Sequence, residues 1–221
     1  PTMSMSFQLL SAFERILGQQ HVLSGEKIEP RYKTDWQHTA VRQPLVVLRP
    51  ANTTQLSAVL KLCHAHDRSV TVQGGMTGLV AGGLPDDGQV VISMERMSGV
   101  EEVDAAASTM TVWAGTPLQI AQEAAARANL YFAVDLGARG SCQVGGNIST
   151  NAGGNRVIRY GMMREQILGI EVVLADGTII TSLNKMLKNN AGYDLKQLFI
   201  GSEGTLGVVT RAVLRLHAKT P

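Results

Sequence analysis

Aromatic residues make up only 5% of this 221-residue chain, too few for the base-stacking surfaces of single-strand nucleic-acid binders. Charge is scarce too: 17% of residues are ionic and the formal net charge is +2, so nothing marks a nucleic-acid partner or a membrane surface. The two cysteines, Cys63 and Cys142, lie far apart without C-x-x-C spacing; no zinc site or disulfide framework is signalled, and both read as reduced thiols. No apolar run approaches the roughly 20 residues that cross a bilayer, and no basic stretch leads into an apolar segment at the start. A soluble, cytoplasmic protein without a membrane span is expected.

What the chain has is glycine, 23 residues gathered mainly in three clusters, and 44% hydrophobic residues. That is enough core for one large domain or two small intertwined lobes. The opening Pro1-Thr2-Met3-Ser4-Met5 is set outside the fold. Residues 6–18 carry Phe7, Leu10, Phe13, Ile16 and Leu17 at helical spacing with Gly18 as a stop, which predicts a helix in an N-terminal segment, 1–43. The run Leu45 to Leu48 predicts a strand, and Asn52-Thr53-Thr54 a start for a helix over 54–66 with Leu56, Val59, Leu60 and Cys63 on one face. Strands at 70–72 and 90–92 follow, giving a small, mainly parallel α/β lobe over 44–97.

From residue 98 the rhythm becomes that of hairpins, and a larger antiparallel lobe with helices is expected over 98–221. Its clearest signal is Ile170 to Leu174, then Ala175-Asp176-Gly177, then Thr178 to Ile180, because Asp-Gly suits a tight turn. Helices are predicted at 116–128 and 193–199, and a last strand from Gly207 to Leu216. The fold class is α+β, in two lobes.

The first glycine cluster, Gln73-Gly74-Gly75-Met76-Thr77-Gly78-Leu79 with Gly82 and Gly83 behind it, follows an apolar strand. Glycines leave backbone N–H groups open to a phosphate, and Thr77 adds a hydroxyl; an ordinary tight turn is the alternative. The second cluster runs from Gly137, Ala138, Gly140, Ser141 and Cys142 through Gly145, Gly146, Asn147, Ser149, Thr150, Asn151, Gly153 and Gly154. Its hydroxyls and amides suit a phosphate or the edge of a heteroaromatic ring, and a dinucleotide presents both. The third, Gly201-Ser202-Glu203-Gly204-Thr205-Leu206-Gly207-Val208-Val209, lets a ligand lie against main chain, or else only forms a bulge. No G-x-G-x-x-G follows a strand, and Leu84-Pro85 stands after Gly83 where a Walker motif needs Lys-Ser/Thr.

Taken together, from about Pro44 to Leu216, these three motifs resemble the FAD-binding domain of the vanillyl-alcohol oxidase/p-cresol methylhydroxylase family. Gln73 to Leu79 looks like its pyrophosphate loop, Val144 to Gly154 like its second flavin segment, and Gly201 to Gly207 completes the set. The stretches Ser24-Gly25-Glu26, Thr34-Asp35-Trp36, Arg159-Tyr160-Gly161-Met162-Met163-Arg164 and Asn190 to Lys196 look most like those of D-2-hydroxyglutarate and D-lactate dehydrogenases and the glycolate oxidase flavin subunit. The resemblance implies FAD between two lobes, with Tyr160 and Gly161 added to the cofactor contacts, and a 2-hydroxy acid as substrate of the full-length protein. It also implies that this sequence stops before the family's cap domain, which supplies much of the substrate site. No catalytic residue is therefore assigned, and the electron acceptor is left open.

Residues 73–79 hold no histidine of the kind that anchors FAD covalently in some relatives, and Cys142 reads as a buried small residue, so FAD is expected to be non-covalent. His64 and His66, two apart on a helix, face apart, so no metal site is expected; His21, His38 and His217 read as solvated. Arg139, Arg159 and Arg164 are open to a phosphate, a substrate carboxylate or a surface acid. Self-association is expected where an open cleft leaves apolar residues uncovered. Two other readings stay open: a flavin-binding module without substrate chemistry of its own, and an α/β nucleotide-binding domain unrelated to flavin.

Overall fold

The computed structural model describes residues 7–219; Pro1 to Met5 and Ser6 of the predicted first helix lie outside the described residues. The chain divides into two compact units, one holding the residues up to Arg96 with Val173–Ile179, the other Met97–Val172 and the residues from Ile180 onward.

The first unit contains α1 (Phe7–Leu17), β1 (Val22–Leu23), β2 (Val46–Leu48), α2 (Thr53–Ala65), β3 (Val70–Gln73) and β4 (Val90–Ser93). Its sheet has the order β1-β2-β4-β3. Both β2 and β3 run parallel to β4, with Val46 and Val70 each opposite Val90, while β1 joins the other edge antiparallel. The central strands Val46 to Leu48 and Val90 to Ile92 are wholly buried, which is why they read as unbroken apolar runs rather than alternations. Helix α2 starts where the Asn52 side chain accepts the Gln55 N–H at 2.9 Å, and it buries Leu56, Val59, Leu60 and Cys63 as predicted.

The predicted face of α1 needs correction. Its buried line is Leu9, Phe13 and Leu17, and Phe7 is 84% exposed. At 3.6 residues per turn Phe7 lies about 120° around the helix from Phe13, outside the stripe that faces the core.

The second unit contains β5 (Val100–Asp104), β6 (Thr109–Trp113), α3 (Leu118–Arg127), β7 (Leu130–Tyr131), α4 (Val144–Ser149), α5 (Val157–Tyr160), β8 (Ile167–Val173), β9 (Ile179–Ser182), α6 (Lys196–Phe199), β10 (Val208–Arg215) and β11 (His217–Ala218). Its main sheet has the order β5-β6-β10-β8-β9, and β7 pairs with β11. Strands β5 and β6 pair antiparallel across a turn in which Asp104 Oδ1 accepts the Ala107 N–H, and β10 lies antiparallel on β6 with Arg211 opposite Trp113. The Asp176-Gly177 turn links β8 to β9; Gly177 has φ +86°, and Asp176 Oδ1 accepts the Thr178 N–H. A mainly parallel sheet followed by a larger antiparallel one is the α+β arrangement the sequence implied.

The helix expected over 193–199 shrinks to Lys196–Phe199. Gly192 takes φ +75°, and the Asp194 carboxylate binds its neighbours Lys196 and Gln197, a local alternative to helical backbone bonding.

Candidate functional site

In the first unit, β3 is an edge strand, and its carboxyl end passes straight from Gln73 into the glycine cluster. Ligands of parallel α/β sheets gather at this end of the strands. Residues 74–83 form neither helix nor strand, carry no ionic side chain, and turn through positive φ at Met76 (+54°) and Ala81 (+58°). Among the described residues none of their backbone N–H groups donates a hydrogen bond within the chain. Gly78 and Gly82 are exposed, and a Cβ on Gly78 would meet nothing within 4 Å. Open N–H donors flanked by glycine suit the binding of a phosphate group.

Beyond the ends of the central strands β2 and β4 lies a cluster of ionic contacts. Glu95 accepts from Tyr32 Oη at 2.8 Å and from Arg31 Nη1 at 2.8 Å, and Arg49 Nη1 lies 3.2 Å from it. Burial opposes ionisation of Glu95, but these donors and the two guanidiniums hold its carboxyl below the usual range. His21 belongs to this cluster, its Nδ1 3.4 Å from Arg49 Nη2, so the solvated reading of His21 is corrected; burial and the nearby Arg96 and Arg49 push its pKa down.

In the second unit, residues 144–149 form a short helix where the sequence suggested open glycine-rich chain. Tertiary contact decides this. Gly145 donates its N–H to Ala114 O at 2.7 Å, and a Cβ on Gly145 would stand 2.6 Å from Ala114 Cβ, so only glycine lets α4 pack against the end of β6. Gly146, one residue on, is exposed, with nothing within 4 Å of a Cβ, and its N–H finds no acceptor in the chain. Gln143, the residue before α4, has its Oε1 buried without a partner. Gly137, Ser141 and Gly154 are exposed, and Ala138 O turns the chain by accepting from Ser141 and Cys142. Gly154 takes φ +120° with Asp135 O lying 2.0 Å from where a Cβ would stand; Gly153 packs on Val157.

Several polar groups of this cluster serve the unit itself. The Thr150 hydroxyl donates to Gly146 O at 2.9 Å, Asn147 Nδ2 to Cys142 Sγ, and Asn151 Oδ1 accepts the Arg164 N–H at 2.9 Å. Ser141 and Ser149 are the hydroxyls left to a ligand. Cys142 is buried and its thiol pKa is pushed up by burial, against the Asn147 hydrogen bond.

The third cluster hangs on α4 through main chain: Gly201 N–H donates to Ile148 O at 3.1 Å and Glu203 N–H to Ser149 O at 2.8 Å. Gly201, Glu203 and Gly204 all have positive φ, and Gly204 is open, whereas Gly207, Val208 and Val209 enter the core as β10 begins. Arg164, left open to a ligand by the sequence, instead donates its guanidinium to Gln197 O, Gln197 Oε1 and Ile200 O, fixing the backbone that leads into this turn. Sequence reasoning had no signal for that role, nor for Ala114 as the seat of α4.

Arg139 and Arg156 both pair with the buried Asp135, at 3.2 and 3.4 Å, and Arg159 lies over the Tyr160 ring. His217 is not a solvated residue: its ring is 4.9 Å from that of Tyr160, and Nε2 lies 2.8 Å from Gln166 Oε1. Gln166 Nε2 donates to Tyr160 O, so Oε1 is the acceptor and neutral His217 carries its proton on Nε2. Burial, with Arg215 and Arg159, pushes its pKa down. Gly161, φ +80°, is crowded by the Glu165 side chain, which accepts the Met162 N–H. Among the described residues no group of three His, Cys, Asp or Glu is placed to hold a metal, and no helix is long and apolar enough to cross a membrane.

Taken each by itself, the open N–H donors of the first unit suit a phosphate group, and the exposed glycines and unpartnered buried acceptor of the second suit a polar ligand. Comparison with known proteins agrees. Residues 44–182 match the family described as FAD binding domain. The chain is 42% identical over 201 residues to the mitochondrial D-2-hydroxyglutarate dehydrogenase of Bos taurus, covering 91% of this chain and 37% of that protein. It is 41% identical over 213 residues to the D-2-hydroxyglutarate dehydrogenase of Xanthomonas citri pv. viticola, covering 94% and 45%. The chain thus spans about two-fifths of the length of these relatives. Among solved structures, alkyldihydroxyacetonephosphate synthase superposes with a TM-score of 0.85 at 19% identity, covering 97% of this chain and 41% of that one. A 6-hydroxy-D-nicotine oxidase from Arthrobacter nicotinovorans does so at 0.75 and 19%, covering 89% and 42%; both likenesses concern the fold.

Proposed function

Because the chain belongs to the FAD-binding domain family, we propose that it is the cofactor-holding part of a flavin-dependent dehydrogenase that oxidises a D-2-hydroxy acid, with 2-hydroxyglutarate ahead of lactate and glycolate. The observation that carries the reading is the run of unpartnered N–H groups over 74–83, set in a chain more than 40% identical to two D-2-hydroxyglutarate dehydrogenases.

In the first unit, Gly74, Gly75, Met76, Thr77, Gly78, Leu79 and Gly82 hold the cofactor's diphosphate through main chain and the Thr77 hydroxyl, with Gln73 at the root of the loop. In the second, Gly137, Ala138, Ser141, Cys142 and the 145–154 stretch, with Tyr160, Gly161, Glu203, Gly204 and Gly207 to Val209, line the rest of the cofactor. FAD, when bound, supplies the two-electron acceptor for the alcohol carbon of the substrate. The chain's own residues bind and orient it; 44–97 and 98–221 act as two lobes of one cofactor domain. Binding is non-covalent: residues 73–79 offer no histidine, and a Cys142 thiol kept protonated by burial is a poor nucleophile.

Self-association through exposed Leu187, Leu198 and Leu206 belongs to the same proposal. The cytoplasmic expectation gains no support from relatives named as mitochondrial.

The test is the visible spectrum of the chain after FAD is added and the excess removed, then acid precipitation, then addition of D-2-hydroxyglutarate. Flavin absorbance retained by the protein and released into the acid supernatant supports non-covalent FAD, and flavin that stays in the pellet contradicts it. Bleaching by the hydroxy acid assigns the oxidation to this chain; retained flavin without bleaching favours the module that holds FAD without substrate chemistry. A chain that retains no flavin contradicts the proposal.

A further inference from the structure

Gln73 is 1% exposed, and its Nε2 donates to two main-chain carbonyls, Gly83 O at 2.8 Å and Tyr32 O at 3.1 Å. One acceptor lies at the far end of the glycine loop that Gln73 itself begins; the other lies in the N-terminal segment. The amide thus closes the loop at its neck and ties it down. Its orientation is fixed, because a flipped amide would set its oxygen against both carbonyls. Oε1 is left buried without a donor. The neck is tight at a second point: the Met76 sulfur lies 2.7 Å from where a Cβ on Gly83 would stand.

Between these closures the chain holds residues 74–83 with their N–H groups unpartnered and with Met76 and Ala81 at positive φ; the backbone contributes one turn bond at the far end, Leu84 N–H to Ala81 O at 2.9 Å, and none over residues 74–80. We propose that Gln73 is a positioning residue for FAD: its side-chain amide acts on the loop rather than on the cofactor, keeping the N–H groups of residues 74–83 aimed outward for the diphosphate. This rests on the assignment of that loop to FAD.

The experiment is a FAD titration of the full chain, followed by flavin fluorescence, for the unmodified protein and Gln73→Glu at about pH 8 and about pH 5.5. A carboxylate facing two carbonyls cannot donate, but once protonated it returns one O–H donor, and burial raises the pH at which it does so. The expected result is FAD affinity weakened on the order of tenfold at the higher pH, with recovery toward that of the unmodified chain at the lower. Tyr32, whose carbonyl Gln73 binds, has a phenol pushed up to about 12, and Glu95, which Tyr32 binds, is held low, so neither changes charge over the interval. The unmodified chain titrated in parallel subtracts every other ionising group.

Equal affinity of Q73E and the unmodified chain, or a loss in Q73E that acid does not reverse, overturns the inference. If Q73E does not fold, Gln73→Met, which keeps the length but donates nothing, replaces it: weaker FAD binding with thermal unfolding of the FAD-free chain moved little supports the inference, and unchanged binding overturns it. Failure of the unmodified chain to bind FAD defeats the functional reading itself, and the inference with it; failure confined to the variants' expected pattern leaves that reading standing.

Discussion

Arg211 grips Glu171 with both arms of its guanidinium, Nε to Oε1 at 3.0 Å and Nη2 to Oε2 at 2.8 Å, across β10 and β8. The carboxylate is buried, Thr210 Oγ1 donates to it at 2.8 Å, and the guanidinium also lies over the Trp113 ring at 5.4 Å. Removing one partner strands a buried charge. Arg211→Met is expected to lower stability by about 3 kcal/mol, and the double substitution with Glu171→Met by clearly less, because both charges then go. Urea unfolding of the two variants checks the order; a double variant less stable than the single one contradicts it.

Two neighbouring glycines of α4 are expected to respond with opposite signs. Alanine normally stabilises a helix by about 0.5–1 kcal/mol over glycine, and Gly146→Ala, with open space around it, should follow that rule in the FAD-free chain. Gly145→Ala puts a Cβ 2.6 Å from Ala114 Cβ and 3.0 Å from Ala114 O, so it should cost about 1–3 kcal/mol. In FAD titrations G146A should still bind more weakly, since its methyl occupies the surface proposed for the cofactor. Tight FAD binding by G146A would remove Gly146 from the site.

Folding should weaken with mild acid. His217, in the second unit, and His21, in the first, have pKa values below the ordinary 6.5. The unfolded chain takes up these protons first as pH falls. Their contribution is therefore complete above pH 6.5 and declines as pH drops through 6.5 toward the folded values. His217→Gln keeps a neutral donor for Gln166 and should flatten the fall in melting temperature between about pH 7 and pH 5. An unchanged slope would show that His217 is not the group responsible.

Arg164→Lys should weaken FAD binding more than it lowers stability. A lysine ammonium cannot reproduce the fork that reaches Gln197 O and Ile200 O, so the turn at Gly201 to Gly204 loosens while the core of β8 and β10 stays packed. Comparing FAD affinity with the unfolding midpoint separates the two effects; equal loss of both would assign Arg164 to stability alone.

Local sequence determined much of this protein. The wholly buried runs Val46 to Leu48 and Val90 to Ile92, the Asn52 cap and the Asp176-Gly177 turn are short-range signals, because hydrophobic run length, side-chain capping and positive φ act within a few residues. The first glycine cluster likewise announced the open backbone of residues 74–83, and the order of the three clusters carried the resemblance to the family. What only the tertiary structure decided is how that backbone is held. Residues 144–149 became a helix because Gly145 fits against Ala114; Gln73 reaches ten residues ahead to Gly83 and back to Tyr32; Arg164 meets carbonyls more than thirty residues away; and His217 finds Tyr160 and Gln166. Such contacts leave no periodicity in the chain, since each joins segments that only the folded structure brings together.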